Sequence, residues 1–176
     1  MRYRYLNDVE PLDVYEPGGY HPVVPGQVLL DRYHIVHKLG YGGYSVIWLA
    51  RDLLKARHVA LKIGKSHDLV SLNREIAALH ALYDGGELVP QVLQDFHVEG
   101  PKGRHTCYTM PVAAGTLASA RYDDFFPIPV ARALSARLAQ IVQSFHANGS
   151  CYGGKWRSTM RKQHDRDSCT IYRSTL

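Results

Sequence analysis

A glycine-rich strand–turn–strand constrains this chain more than any other feature. Arg32 to Leu39 and Ser45 to Arg51 are rich in β-branched and aromatic residues and read as two strands. Between them Gly40-Tyr41-Gly42-Gly43 reads as a hairpin turn, and its glycines let backbone N–H groups approach a ligand with no side chain in the way. A third strand is predicted from His58 to Ile63. There Val59, Leu61 and Ile63 face one side, while Ala60 and Lys62 face the other. Alone, each piece is a weak signal. Glycine-rich turns are common, and an isolated strand lysine is more often a solvated one.

The third point is Glu75. Leu69 to Tyr83 carries apolar residues at Leu69, Leu72, Ile76, Leu79 and Tyr83, a helical period closed by Gly85-Gly86. Glu75 lies three residues after Leu72 and four before Leu79, beside that apolar stripe. A carboxylate at the inward edge needs a partner, and Lys62 is the natural one. A solvated helix glutamate remains the alternative. Two more strands are predicted over Val92–Val98 and His105–Met110. A second helix is predicted over Pro127–Asn148, with Val130, Leu134, Leu138, Ile141, Val142 and Phe145 on one stripe.

The chain is long enough for one core, and at 45% hydrophobic and 21% charged it is of globular type. No stretch approaches the roughly 20 apolar residues of a membrane span. Met1-Arg2-Tyr3-Arg4-Tyr5 lacks a signal-peptide core, so an intracellular protein is expected. Cys107, Cys151 and Cys169 are too scattered for a disulfide framework, and with His164 they are too few for structural zinc. The net charge of +5 is unevenly spread: residues 1–150 hold 15 Lys/Arg against 14 Asp/Glu, whereas residues 151–176 hold 6 against 2. A basic, aromatic-poor tail gives little reason to expect nucleic-acid binding.

Taken together, the turn, the Val59-Ala60-Leu61-Lys62 strand and Glu75 resemble the N-terminal lobe of a eukaryotic protein kinase. Gly18-Gly19-Tyr20-His21-Pro22-Val23, Arg32-Tyr33, Lys38-Leu39-Gly40, Tyr44-Ser45 and Ile47-Trp48-Leu49-Ala50-Arg51-Asp52 narrow it: this set is similar to the SR-protein kinases. The resemblance spans about residues 15–152. It implies an α+β fold, with a five-stranded antiparallel sheet and one helix, followed by one or two helices of a truncated second lobe. The implied organisation is a lead-in over 1–32, the N-lobe over 33–113, the start of the C-lobe over 114–152 and a non-homologous, disordered tail over 153–176.

By the same resemblance the cofactor is ATP. Gly40, Gly42 and Ser45 cover its phosphates, and Leu39, Ile47 and Ala60 sandwich the adenine. Lys62 holds the α- and β-phosphates and Glu75 holds Lys62. Met110 is the gatekeeper, while the Pro111 carbonyl and the Ala113 N–H meet the adenine edge. Family substrates are serines in Arg/Ser-rich proteins.

The resemblance then breaks. Tyr152 stands where the family has the His of its catalytic loop, and Gly154 where it has the Asp. No matching Asn, Asp-Phe-Gly or Ala-Pro-Glu follows, so the magnesium ligands are missing, no phosphoryl transfer is expected, and ATP binding is expected to be weak at best. Gly154-Lys155-Trp156 can be encoded with the intron start GTAAGT inside it, which gives a reading of residues 155–176 as translated intron; a genuine truncated copy with an unrelated tail is the alternative. Two functions compete: a serine/threonine kinase, here an incomplete copy, and a kinase-like binding module or scaffold. An uncovered lobe interface makes chaperone association an expected partner.

Overall fold

The computed structural model describes residues 15–83, 89–115, 117, 120 and 125–147, together with the backbone of 150–152 and 170–172. The described residues divide into two compact units. The first holds 15–73 and 93–112, and the second holds 74–92 and 113–172.

The first unit is a six-stranded sheet. Its strands are β1 (Val28–Leu29), β2 (Tyr33–Tyr41), β3 (Ser45–Asp52), β4 (Arg57–Gly64), β5 (Gln94–Gly100) and β6 (Gly103–Met110), in the order β1-β2-β3-β4-β6-β5. Every pairing is antiparallel. The five expected strands are present, and β1 adds a short sixth at the edge. β1 forms because the chain reverses over Leu30 and Asp31, both at positive φ (51° and 52°). That turn is closed by the Arg32 N–H donating to the Leu29 carbonyl at 3.1 Å.

Strand alternation builds the core. Tyr33 and Ile35 of β2, Val46, Trp48 and Ala50 of β3, and Val59, Leu61 and Ile63 of β4 share one buried cluster with Val98 and Cys107. Residues 15–32, read from sequence as a lead-in, supply Tyr20, Val23 and Leu29 to that same cluster. The β5–β6 hairpin turns at Gly103, whose φ of 121° suits glycine alone. At Gly100 a side chain would run into the ring of His21.

α1 (Leu69–Leu82) begins where Asp68 caps it, its Oδ1 accepting from the Ser71 N–H at 3.2 Å. The unit boundary falls inside this helix, after Asn73. Leu72, in the first unit, is buried against Gly64.

In the second unit Ile76, Leu82, Val89 and Val92 are buried. Its long helix α2 (Ile128–Ala147) matches the span expected from periodicity, yet none of its residues is buried. Val130 and Leu138 of its apolar stripe are 44% and 62% exposed. Leu134, Ile141, Val142 and Phe145 of the same stripe are half-buried, so the stripe is covered only in part. Ser150–Tyr152 pairs in parallel with Thr170–Tyr172, a stretch for which no regular element was expected. No helix among the described residues is long and apolar enough to cross a membrane.

Candidate functional site

Register brings the predicted residues of the first unit onto one face of the sheet. Ile47 of β3 pairs with Lys62 of β4, and Lys62 pairs with Tyr108 of β6. One step along, Leu49 pairs with Ala60 and Ala60 with Met110. Because β4 alternates, Ala60 and Lys62 point away from the core that holds Val59, Leu61 and Ile63. Ala60 is buried, Lys62, Ile47 and Met110 are half-buried, and the Lys62 ammonium stands 5.8 Å from the centre of the Tyr108 ring. A small side chain, an ammonium and flat apolar surface therefore lie side by side.

The glycine-rich turn closes this face at the far end of β2. Gly40 pairs with Ile47 and Tyr41 with Val46, and the Gly42 N–H donates to the Ser45 carbonyl at 2.9 Å. Ser45 itself pairs with Gly64. Between Lys38 and Gly40 the ladder slips by one residue, so Leu39 is bulged out and 45% exposed. A Cβ built on Gly40, Gly42 or Gly43 would meet nothing within 4 Å, and none of the three has a positive φ. Neither packing nor backbone conformation calls for glycine there. The space beside the turn is open, as a phosphate cradle would require.

Pro111 follows β6 and is exposed. Glu75, half-buried on α1, and Ala113, exposed, belong to the second unit. Gly154 lies outside the described residues, as do Cys169 and His164, and only the backbone is described at Tyr152 and Cys151. No group of three or more His, Cys, Asp or Glu gathers among the described residues as a metal site would require. Cys107 is a free, buried thiol, and burial pushes its pKa up to about 12, so it stays a neutral core residue.

Sequence spacing did not reveal two arrangements in the first unit. Arg32 forks onto Asp52 across β2 and β3, with Nε donating to Oδ1 at 2.8 Å and Nη2 to Oδ2 at 2.7 Å. Arg32 Nη1 and the Tyr33 hydroxyl also donate to the side-chain oxygen of Gln94. The second is the Tyr20 hydroxyl, which donates to the Gly42 carbonyl inside the glycine-rich turn. The quoted Arg32-Tyr33 and Gly18–Val23 motifs contain these residues, but nothing local in them points to partners so far along the chain.

The chain is 40% identical over 111 residues to SRSF protein kinase 3 of Homo sapiens, covering 58% of this chain and 19% of that protein. It is also 40% identical over 111 residues to serine/threonine-protein kinase spk-1 of Caenorhabditis elegans, covering 58% of this chain and 11% of that protein. A serine/threonine protein kinase of Aspergillus fumigatus is 36% identical over 104 residues, 56% of this chain and 26% of its own length. The match thus spans about a quarter or less of each of these relatives. No protein-family model matches the chain.

Proposed function

We propose, for a chain that belongs to the SR-protein kinase family, that the face carrying Ala60 and Lys62 binds ATP. The observation that carries this reading is the empty space above Gly40, Gly42 and Gly43, at positions where the fold itself has no need of glycine. Backbone N–H groups of that turn would meet the phosphates, and Lys62 would neutralise them. Leu39, Ile47 and Ala60 would enclose the base, with Met110 behind it and the Pro111 carbonyl at its edge. The parts for Glu75 and Ala113 rest on the family resemblance alone, since both stand in the second unit.

In the family, ATP supplies a γ-phosphate that passes to a serine of an Arg/Ser-rich protein. A charge-assisted contact to phosphate is worth about 1.5–3 kcal/mol, so Lys62→Met should weaken ATP binding by roughly tenfold to a hundredfold. Titration of the purified chain with a fluorescent ATP analogue measures this directly. Equal binding by wild type and Lys62→Met would refute the site. With Gly154 in place of a carboxylate, this chain is proposed to hold nucleotide without transferring phosphate. Transfer of radiolabel to an Arg/Ser peptide, lost in Lys62→Met, would overturn that half of the reading.

The binding-module alternative is favoured by one observation, the exposure of Val130 and Leu138 on the apolar stripe of α2. A chaperone is the partner chemistry that such a surface would attract.

A further inference from the structure

Residues 18–21 are tied to the β5–β6 turn and to the loop that follows β4. The Gly18 N–H donates to the Lys102 carbonyl at 3.1 Å, and the carbonyls of Gly18 and Gly19 accept from the N–H groups of His67 (3.0 Å) and Ser66 (3.1 Å). The His21 ring sits against Gly100 and 4.9 Å from the ring of His105. Between these anchors Tyr20 is sunk in the core at 2% exposure, and its hydroxyl reaches out of the core to the Gly42 carbonyl. Lys65 braces the same place. Its ammonium lies 4.5 Å from the centre of the Tyr20 ring, and its N–H donates to the Tyr44 carbonyl at 2.9 Å.

In a trans peptide the C=O and the following N–H point in opposite directions, and the described residues contain no cis bond. Tying the Gly42 carbonyl to Tyr20 therefore turns the Gly43 N–H away from Tyr20. Glycines flanking that peptide would otherwise leave it free to rotate, since they tolerate most φ/ψ values. We infer that residues 18–21 form a strap and that Tyr20 is a positioning residue for the glycine-rich turn, presetting the Gly43 N–H for a nucleotide phosphate. The inference deepens the ATP reading and rests on it. Preorganisation removes an ordering cost that binding would otherwise meet.

The test uses the full 176-residue chain, wild type and Tyr20→Phe, titrated separately with ATP and with adenosine, which has no phosphate. Amide exchange is followed on a peptide over 40–46, with one over β4 as the control for global loosening. One hydrogen bond sets the scale: ATP affinity should fall about threefold to tenfold, while adenosine affinity holds. Exchange over 40–46 should quicken, with β4 unchanged. A merely structural tyrosine would weaken both ligands equally and speed exchange in both peptides, which overturns the proposal. Unchanged exchange over 40–46 overturns the strap whatever the affinities do, and faster exchange without selective ATP loss overturns the positioning role. If wild type binds neither ATP nor adenosine, the ATP reading falls by itself, and exchange alone then upholds or sinks the strap.

Discussion

Arg32 and Asp52 hold each other in a two-point fork, Nε to Oδ1 at 2.8 Å and Nη2 to Oδ2 at 2.7 Å, across the open ends of β2 and β3. The Asp52 side chain is 2% exposed and that of Arg32 18%. Asp52 Oδ1 also accepts from the N–H groups of Leu54 (3.1 Å) and Lys55 (3.2 Å), so the carboxylate shapes the β3–β4 turn as well. Asp52→Ala would leave a buried guanidinium edge and two turn N–H groups without their acceptor. A loss of about 3 kcal/mol is expected, read as a lower urea midpoint with an unchanged slope. A loss under about 1 kcal/mol would mean that the fork is an ordinary surface ion pair.

The same pair makes the stability of the first unit depend on pH in acid. Pairing with Arg32 draws the Asp52 pKa from 3.8 down to about 2. A carboxylate held low in the folded state stabilises it above the unfolded value and loses that contribution as pH falls through the folded one. About 2 kcal/mol should therefore disappear between roughly pH 4 and pH 2. Stability curves of wild type and Asp52→Asn should converge there, and parallel curves would contradict the assignment.

His21 acts in a different window. Burial, and after it electrostatic repulsion from neighbouring His105, lowers its pKa below 6.5. A histidine with a depressed pKa favours the neutral ring in the folded state, while the unfolded chain takes up the proton more readily. Its contribution is complete above pH 6.5 and declines as pH falls below that value. Denaturation midpoints at mildly acidic and neutral pH should differ in wild type and differ less in His21→Phe. An unchanged difference would exclude His21 as the source.

Leu30 carries φ 51° on an exposed turn, a conformation that a γ-branched residue adopts at a cost of about 1–2 kcal/mol. Leu30→Gly removes the strain and returns part of the gain as chain entropy. A net stabilisation of about 0.5–1 kcal/mol is expected, seen as a raised melting temperature. A lowered one would show that Leu30 earns its place through contacts.

Gly42→Ala separates fold from function. A Cβ there meets nothing within 4 Å, so thermal stability should change by no more than about 0.5 kcal/mol. ATP binding should nevertheless weaken severalfold, because the methyl group occupies space assigned to phosphate. Intact affinity in a stable variant would mean that phosphate does not sit over this turn.

Five strands of the main sheet, both helices and the face bearing Ala60 and Lys62 were legible in the sequence because each is written in a local period, whereas the two-residue β1 is too short to carry one. Alternation along β4 says which residues share a side without any knowledge of neighbours. The bulge at Leu39 was not legible, since it appears only when Lys38 and Gly40 are both matched to β3. The α2 stripe shows the opposite failure. Its period correctly located the helix, but burial depends on a facing element that periodicity cannot supply.

By itself the sequence located five strands of the sheet and both helices, which face of β4 is apolar, and that glycines meet a lysine-bearing strand at kinase spacing. Tertiary structure alone decided that Tyr20 reaches Gly42 across 22 residues and Arg32 reaches Asp52 across 20. The reason is physical. A period is a property of consecutive backbone dihedrals, whereas a long-range hydrogen bond depends on sheet register and bulges, and these emerge only when the strands have paired.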